Sequence, residues 1–365
     1  MKVIFIIQGE GRGHMTQAIA LNSILHELNH EVVAVCIGKS SRRKIPDFFA
    51  RKIECPIHTF ESPNFVTDKN HKKILIGKTI SQNIFQSKTY YKSLKKLNRI
   101  VKDYSPDLII NFYDLLAGIF NLVFKPNCKF WAIGHQYMIY HPNFQFAPSK
   151  NLEKILFILN TKLTALSADL HLALSFVDDK ADLKSKKTII IPPLLRPELF
   201  KLKPTKGDFI LTYMVNAGYG EEVYRFASNN PEIRIEAFWD NAKAEKLEKP
   251  LPNLTFHQID DRLFLNRMAE CKGLISTAGF ESICEAMYLT KPVMMVPVAG
   301  QYEQACNALD ATSAGAGFSH HEFDFEKFDK FLVNHMHSAT PMKPWANSIK
   351  DHITEAFMTY MKDQN

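Results

Sequence analysis

The sequence predicts an α/β protein of two Rossmann-like domains, each built on a doubly wound parallel sheet. Three observations carry the prediction. Short apolar runs alternate with stretches of helical periodicity, as in Lys2 to Ile7 before Gln17 to Leu28, and Leu274-Ile275 before Glu281 to Leu289. Parallel strands are covered on both faces and therefore read as continuous hydrophobic runs. Glycine turns stand where such runs give way to helices, and one recurs in each half, at Gly9-Glu10-Gly11-Arg12-Gly13 and at Asn216-Ala217-Gly218-Tyr219-Gly220. Finally, 365 residues is about twice the size of one ordinary domain.

The elements follow in order. Val3 to Ile7 is the first strand; it is too short for a signal-peptide core, and Gln8, Glu10 and Arg12 follow it at once. The next helix places Ile19, Leu21, Ile24, Leu25 and Leu28 at helical spacing, and Glu31 to Ile37 is the second strand. Pro106 to Asn111 is a buried strand whose carboxyl end delivers Tyr113 and Asp114, and the apolar helix Leu115 to Val123 follows. Lys129 to Ile133 delivers Gly134-His135-Gln136, and after an aromatic turn region the stretch Asn151 to Leu166 reads as a core helix. Asp169 to Ala173 and Thr188 to Ile191 complete a first domain over 1–191. Four prolines between Pro192 and Pro204 mark a linker over 192–206. The second domain, 207–343, takes its strands from Asp208 to Met214, Ile233 to Phe238, Leu254 to His257, Leu274-Ile275 and Pro292 to Val296, and 344–365 reads as a terminal helix.

Composition narrows the function. With 46% hydrophobic and 23% charged residues the chain has material for two ordinary cores. Six scattered cysteines without a CxxC pair argue for a reduced, cytoplasmic protein and against a zinc or disulfide framework. No apolar stretch approaches bilayer length. The net charge of +7 is uneven, since residues 69–102 hold many lysines and no carboxylate. That segment reads first as a solvated helix face, then as a contact for an anionic membrane surface or acidic acceptor; nucleic acid comes last because no recognition motif accompanies the charge. Neighbouring His320 and His321 in a strand would point to opposite faces, a poor metal pair, so no metal site is expected.

The polar residues at the strand ends suit a sugar nucleotide. Glu285, one turn into its helix, has a carboxylate able to accept both vicinal hydroxyls of a ribose. Glu303, Gln304 and Asn307 cluster at the start of the following helix, where Glu303 and Asn307 share a face. The plainer alternatives are an exposed helix position for Glu285, a dipole partner for Glu303 and a solvated Asn307. Asn216 and Gly218 offer backbone N–H groups to a phosphate, or form a simple tight turn. His14, at the mouth of the first helix, is a candidate general base whose pKa the helix N-terminus would depress, or an exposed cap. Asp114 and His135 are its rivals, or caps in their turn.

The stretch Gly279, Ser282, Glu285-Ala286, Lys291-Pro292, Pro297 and Glu303-Gln304-Ala305-Cys306-Asn307-Ala308 resembles the C-terminal signature of GT-B glycosyltransferases, especially the MurG-like and glucuronosyltransferase-like branch. Gly-x-Gly-x-Gly-His at 9–14 is similar to the first loop of MurG-like enzymes. The resemblance implies that Glu285 binds ribose, that Glu303 and Gln304 bind the donor sugar, and that backbone atoms at Ile259 hold the base. It implies further that Gly11 and Gly13 face the diphosphate, with Thr277 and Gly279 in the opposite turn. Ala278, where relatives carry a second Gly or a Ser, and Thr290, in place of the usual Gly, depart from the pattern. The function expected is metal-independent, inverting transfer of a sugar, with no cofactor beyond a nucleoside-diphosphate sugar such as a UDP-sugar. The acceptor would be a hydroxyl compound, lipid-linked or a polysaccharide precursor of the cell envelope, with peripheral membrane contact and no nucleic acid. A GT-B epimerase and a non-catalytic sugar-nucleotide or carbohydrate-binding protein are the alternatives. The last helix is expected to cross back to the first domain.

Overall fold

The computed structural model describes residues 1–39, 45–63, 85–148, 151–214, 220–239, 245–334 and 342–361. The first sheet comprises β1 (Lys2–Gln8), β2 (Glu31–Lys39), β3 (Ile57–Glu61), β4 (Leu108–Phe112), β5 (Lys129–Gly134), β6 (Leu170–Leu174) and β7 (Thr188–Ile191). All are parallel, in the order β3-β2-β1-β4-β5-β6-β7. Its helices are α1 (Arg12–Glu27), α2 (Asp47–Lys52), α3 (Ser87–Tyr104), α4 (Leu115–Phe124) and α5 (Asn151–Thr164). The second sheet comprises β8 (Phe209–Met214), β9 (Arg234–Trp239), β10 (Leu247–Leu251), β11 (Leu254–Gln258), β12 (Gly273–Ser276), β13 (Val293–Met295) and β14 (Gly317–Ser319), in the order β10-β11-β9-β8-β12-β13-β14. With it go α6 (Gly220–Asn229), α7 (Asp261–Glu270), α8 (Phe280–Tyr288), α9 (Tyr302–Ser313) and α10 (Phe325–Asn334), and the chain closes with α11 (Met342–Asn347) and α12 (Ile349–Tyr360).

The apolar runs form these strands because both faces of each sheet are covered. On β1, Val3, Phe5 and Ile7 enter one core and Ile4 and Ile6 another, all of them fully buried. The antiparallel edge strand β10 has no such run: Leu-Glu-Lys-Pro-Leu is largely exposed, and its Pro250 is tolerated at an edge. Beyond β5 the chain turns through a 3₁₀ segment, His135–Tyr140.

The predicted linker is no free tether. Leu194, Leu195 and Leu199 are buried in a hydrophobic cluster that runs without a break from the first sheet to α8 and α11. The terminal helices join it. Trp345 Nε1 donates to Ser175 O at 3.0 Å, and Phe357 of α12 packs on Trp131 and His30 with ring centroids 4.9 and 4.6 Å away.

Among the parallel strands of each sheet the order reverses once, between β1 and β4 and between β8 and β12. The crevice beyond the carboxyl ends of strands at such a switch point is where open α/β sheets bind ligands. The loop leaving β1 leads into His14 in the first turn of α1, and those leaving β4 and β12 carry Asp114 and Gly279.

Candidate active site

At the first switch point the loop after β1 is pinned by Gly9 N donating to Gly38 O at 2.7 Å, and Gly11 caps the start of α1. His14 lies in the first turn of α1. Its ring stacks on Tyr113 at 5.8 Å between centroids, and its Nδ1 is 3.2 Å from Gln17 Oε1. The pKa of His14 is lowered to about 4, and burial is the cause.

Tyr113 leaves β4 with φ of 63°, a left-handed conformation unfavourable for an aromatic residue. Its hydroxyl shares a hydrogen bond of 2.7 Å with Thr161 Oγ1, which holds the strained turn. Asp114 is fully buried, and its Oδ1 accepts from Ala117 N at 3.1 Å as the cap of α4. Burial raises its pKa to about 6, against the pull of hydrogen bonds. A Cβ on Gly38 would collide with its Oδ2, so glycine there makes room for the carboxyl.

The second switch point mirrors this arrangement. Ala278, just beyond β12, has φ of 45°, and Asn307 Nδ2 donates to its carbonyl at 3.2 Å. Asn307 is thus buried support for the turn rather than a solvated position. Thr277 is buried beside it, Gly279 caps α8, and Ser282 Oγ donates to Gly279 O at 3.1 Å. Gln304 Oε1 accepts from Val298 N at 2.8 Å and fixes the loop entering α9. Half-buried Ile259 leads into Asp260, the side-chain cap of α7. Asn216 and Gly218 lie outside the described residues.

Three carboxyl groups of the second domain meet residues outside it. Glu285 is 2% exposed, and both its oxygens take hydrogen bonds from Arg196, at 2.7 Å from Nε and 2.8 Å from a terminal nitrogen. Arg196 also donates to Asp261 O at 3.1 Å, which ties the carboxylate to the loop at Ile259. Glu281 Oε1 accepts from Gln17 Nε2 at 2.6 Å, and burial pushes its pKa up to about 8. Glu303 Oε1 accepts from Gln136 Nε2 at 2.8 Å, and burial pushes its pKa up to about 7.

His14, Tyr113, Gln17 and Glu281 therefore form one chain of contacts across the domain boundary, and Gln136 with Glu303 makes a second crossing. Asp114 and His135 stand apart from both. His135 is 3% exposed, donates from Nδ1 to Leu174 O at 2.8 Å, lies 3.3 Å from Asp310 and stacks on Phe280 at 4.3 Å. It is a buried pin between the domains. Arg196, Gln17, Gln136 and Glu281 were not singled out from the sequence. Only Arg196 left a signal, as the single basic residue between Ile191 and Phe200.

His320, Glu322 and Asp324 bring ligand atoms within 4.8 Å of one another at the end of β14. The chain leaves the strand at Ser319, so strand alternation does not govern His320 and His321, whose rings lie 4.3 Å apart. Asp324 already accepts from Lys327 N as a helix cap, and Glu322 is exposed.

Solved structures share the fold over the full length. The calicheamicin glycosyltransferase CalG4 superposes with a TM-score of 0.61 at 14% identity, covering 100% of this chain and 98% of its own. MurG of Acinetobacter baumannii gives 0.57 at 15% identity, covering 98% and 99%. UDP-GlcNAc 2-epimerase of Neisseria meningitidis, bound to UDP-GlcNAc, gives 0.61 at 15% identity, covering 98% and 100%. No curated protein matches the chain in sequence. The model of glycosyl transferase family 1 matches residues 1–335, and with two Rossmann-like sheets in the GT-B arrangement the chain belongs to that family.

Proposed function

We propose that the protein moves a sugar from a nucleoside-diphosphate sugar, a UDP-sugar, to an acceptor hydroxyl by direct displacement with inversion and without a metal. The observation that carries this reading is the convergence of both switch-point loops, with neutral His14 on one side and Glu281, Glu285 and Glu303 on the other. His14 is the general base, because its burial keeps it unprotonated at neutral pH. Asp114 is occupied as a helix cap and His135 as a buried pin, which leaves both less suited to the task. The start of α8 and the amides of the Thr277 to Gly279 turn would face the diphosphate. Glu285 would take the ribose hydroxyls on lone pairs that Arg196 leaves free, and Glu303 with Gln304 the donor sugar.

A peripheral contact with membrane fits the acceptor side. Lys88, Lys92, Lys95, Arg99 and Lys102 are exposed on α3, and next to it α4 and α5 expose Leu122, Val123, Leu152, Ile155 and Leu159. A basic face beside exposed apolar side chains suits an anionic lipid surface and a lipid-linked acceptor. The remainder of the basic segment lies outside the described residues. Among the described residues no helix is long and apolar enough to cross a membrane.

An epimerase reading is kept because an epimerase shares the fold. The test is incubation with a panel of nucleoside-diphosphate sugars, with and without lipid-linked and soluble hydroxyl acceptors. Acceptor-dependent release of nucleoside diphosphate is the expected result. Conversion of donor alone to an epimer would replace the proposal, and binding without turnover would leave a sugar-nucleotide-binding protein.

A further inference from the structure

We infer that Gln17 and Glu281 form a positioning relay that fixes the tautomer of His14, and that the relay is complete only when the two domains are closed on one another. The inference rests on the reading of His14 as the base. Its geometry stands on two contacts, Gln17 Nε2 to Glu281 Oε1 at 2.6 Å and Gln17 Oε1 to His14 Nδ1 at 3.2 Å.

The argument is one of donors and acceptors. Gln17 is 3% exposed, so its amide has no water to fall back on. Its nitrogen donates to Glu281 Oε1, which accepts whether the carboxyl is ionised or carries its proton on Oε2, so its oxygen is turned to His14. An amide oxygen can only accept. His14 Nδ1 must then carry the proton, which leaves Nε2 with the lone pair a base requires. Free imidazole side chains favour the opposite, Nε2–H form in water, so the relay works against the intrinsic preference.

Two further features hold the ring in place. Tyr113 stacks on it from a left-handed turn braced by Thr161, which limits rotation about the side chain. Gly13 leaves the space through which Glu281 reaches the loop, since a Cβ there would lie 3.3 Å from Glu281 Cγ. The relay thus takes a glutamine from the first domain and a carboxyl from the second, with the glycine easing their approach. When the domains part, Glu281 is withdrawn, the Gln17 amide is free to turn over, and His14 reverts to the form that cannot accept a proton at Nε2. Closure on a bound donor would restore it, tying the readiness of the base to the presence of substrate.

The test is ¹⁵N NMR of the full chain labelled at histidine, with His14 assigned by its loss in His14→Asn. Wild type at neutral pH should show the Nδ1–H form. Glu281→Gln, whose amide oxygen replaces the carboxyl oxygen, should keep it. Glu281→Met and Gln17→Met, placed on opposite domains so that a folding failure in one leaves the other informative, should shift His14 toward Nε2–H. Turnover by Glu281→Met should fall at least about tenfold with the donor KM within about threefold, the pattern of a lost transition-state contribution. An Nε2–H form in the wild type would mean that the amide points the other way and would overturn the relay. So would an unchanged tautomer in both Met variants. A tautomer shift without loss of turnover would overturn its link to the chemistry. Full turnover by His14→Ala would defeat the base assignment instead, and the NMR arms read the relay without any turnover.

Discussion

Glu281 and Glu285 lie one turn apart on α8, at 8% and 2% exposure, and each is bonded to a residue outside the second domain. Their partners differ in one respect that decides their chemistry. Arg196 brings a positive charge in a planar fork that matches both oxygens of Glu285 and holds that side chain in one geometry. Gln17 brings only an amide, so burial dominates at Glu281 and its pKa rises to about 8. Similar burial therefore accompanies a two-point salt bridge at one position and a group whose pKa is pushed up at the other. The first suits orienting a polar ligand, and the second suits a contact that forms and breaks as domains move.

Mutations at the two ends of this comparison should separate chemistry from binding. His14→Ala, at the far end of the Glu281 chain, should lower turnover by about 10²–10⁴ while nucleoside-diphosphate affinity stays within about threefold, measured by steady-state kinetics and calorimetry. A variant that loses both in equal measure would make His14 a phosphate ligand. Glu285→Ala should do the reverse, weakening nucleoside-diphosphate binding by about 1.5–3 kcal/mol. It also strands the buried Arg196 guanidinium, so denaturant unfolding should show a loss of about 3–5 kcal/mol. The double variant Arg196→Met with Glu285→Leu should regain most of that stability. If it does not, the loss does not come from a stranded guanidinium and the contrast with Glu281 fails.

Stability against pH sharpens the same contrast. For Glu281 the folded pKa of about 8 exceeds the ordinary 4.5, so the folded state keeps a proton that the unfolded chain releases. Its contribution is complete below about pH 4.5 and is lost as pH rises toward 8. Glu281→Gln should match wild type near pH 4.5 and melt about 2–4 °C higher at pH 8.5 in a thermal scan. Glu236 supplies the opposite case in the second sheet. Burial opposes its ionisation, but hydrogen bonds from His257 and Arg267 prevail and lower its pKa to about 2. That stability is present above about pH 4.5 and disappears as pH falls toward 2. Since Arg267 is 25% exposed, solvent screening reduces the effect, and Glu236→Gln should cost about 1–2 kcal/mol at pH 6 and less at pH 3 in urea unfolding.

The strands and the turns between them were legible because burial on both faces writes itself into contiguous residues. Val3 to Ile7 and Leu108 to Phe112 can be read without knowing what lies beside them. The turn at Thr277 to Gly279 was legible too, although the reason Ala278 tolerates its backbone became visible only with Asn307 beneath it. The partners were not legible. Gln17 and Glu281 are 264 positions apart, Arg196 and Glu285 89, and no local period links such residues. Arg196 was hidden further by its prolines, which signal an extended connection while the leucines around it pack as core. The short strand β3 and the edge strand β10 escaped because neither has a long apolar run.

The return of α12 to the first sheet also bears on synthesis. Every strand of that sheet is made by residue 191, yet the apolar side chain that covers Trp131 arrives with Phe357. On the ribosome the first sheet must wait, with its aromatic flank open, while the whole second domain is translated. During that interval the nascent chain presents a surface that chaperones recognise and aggregation exploits. The first domain is thus made before the second and finished after it.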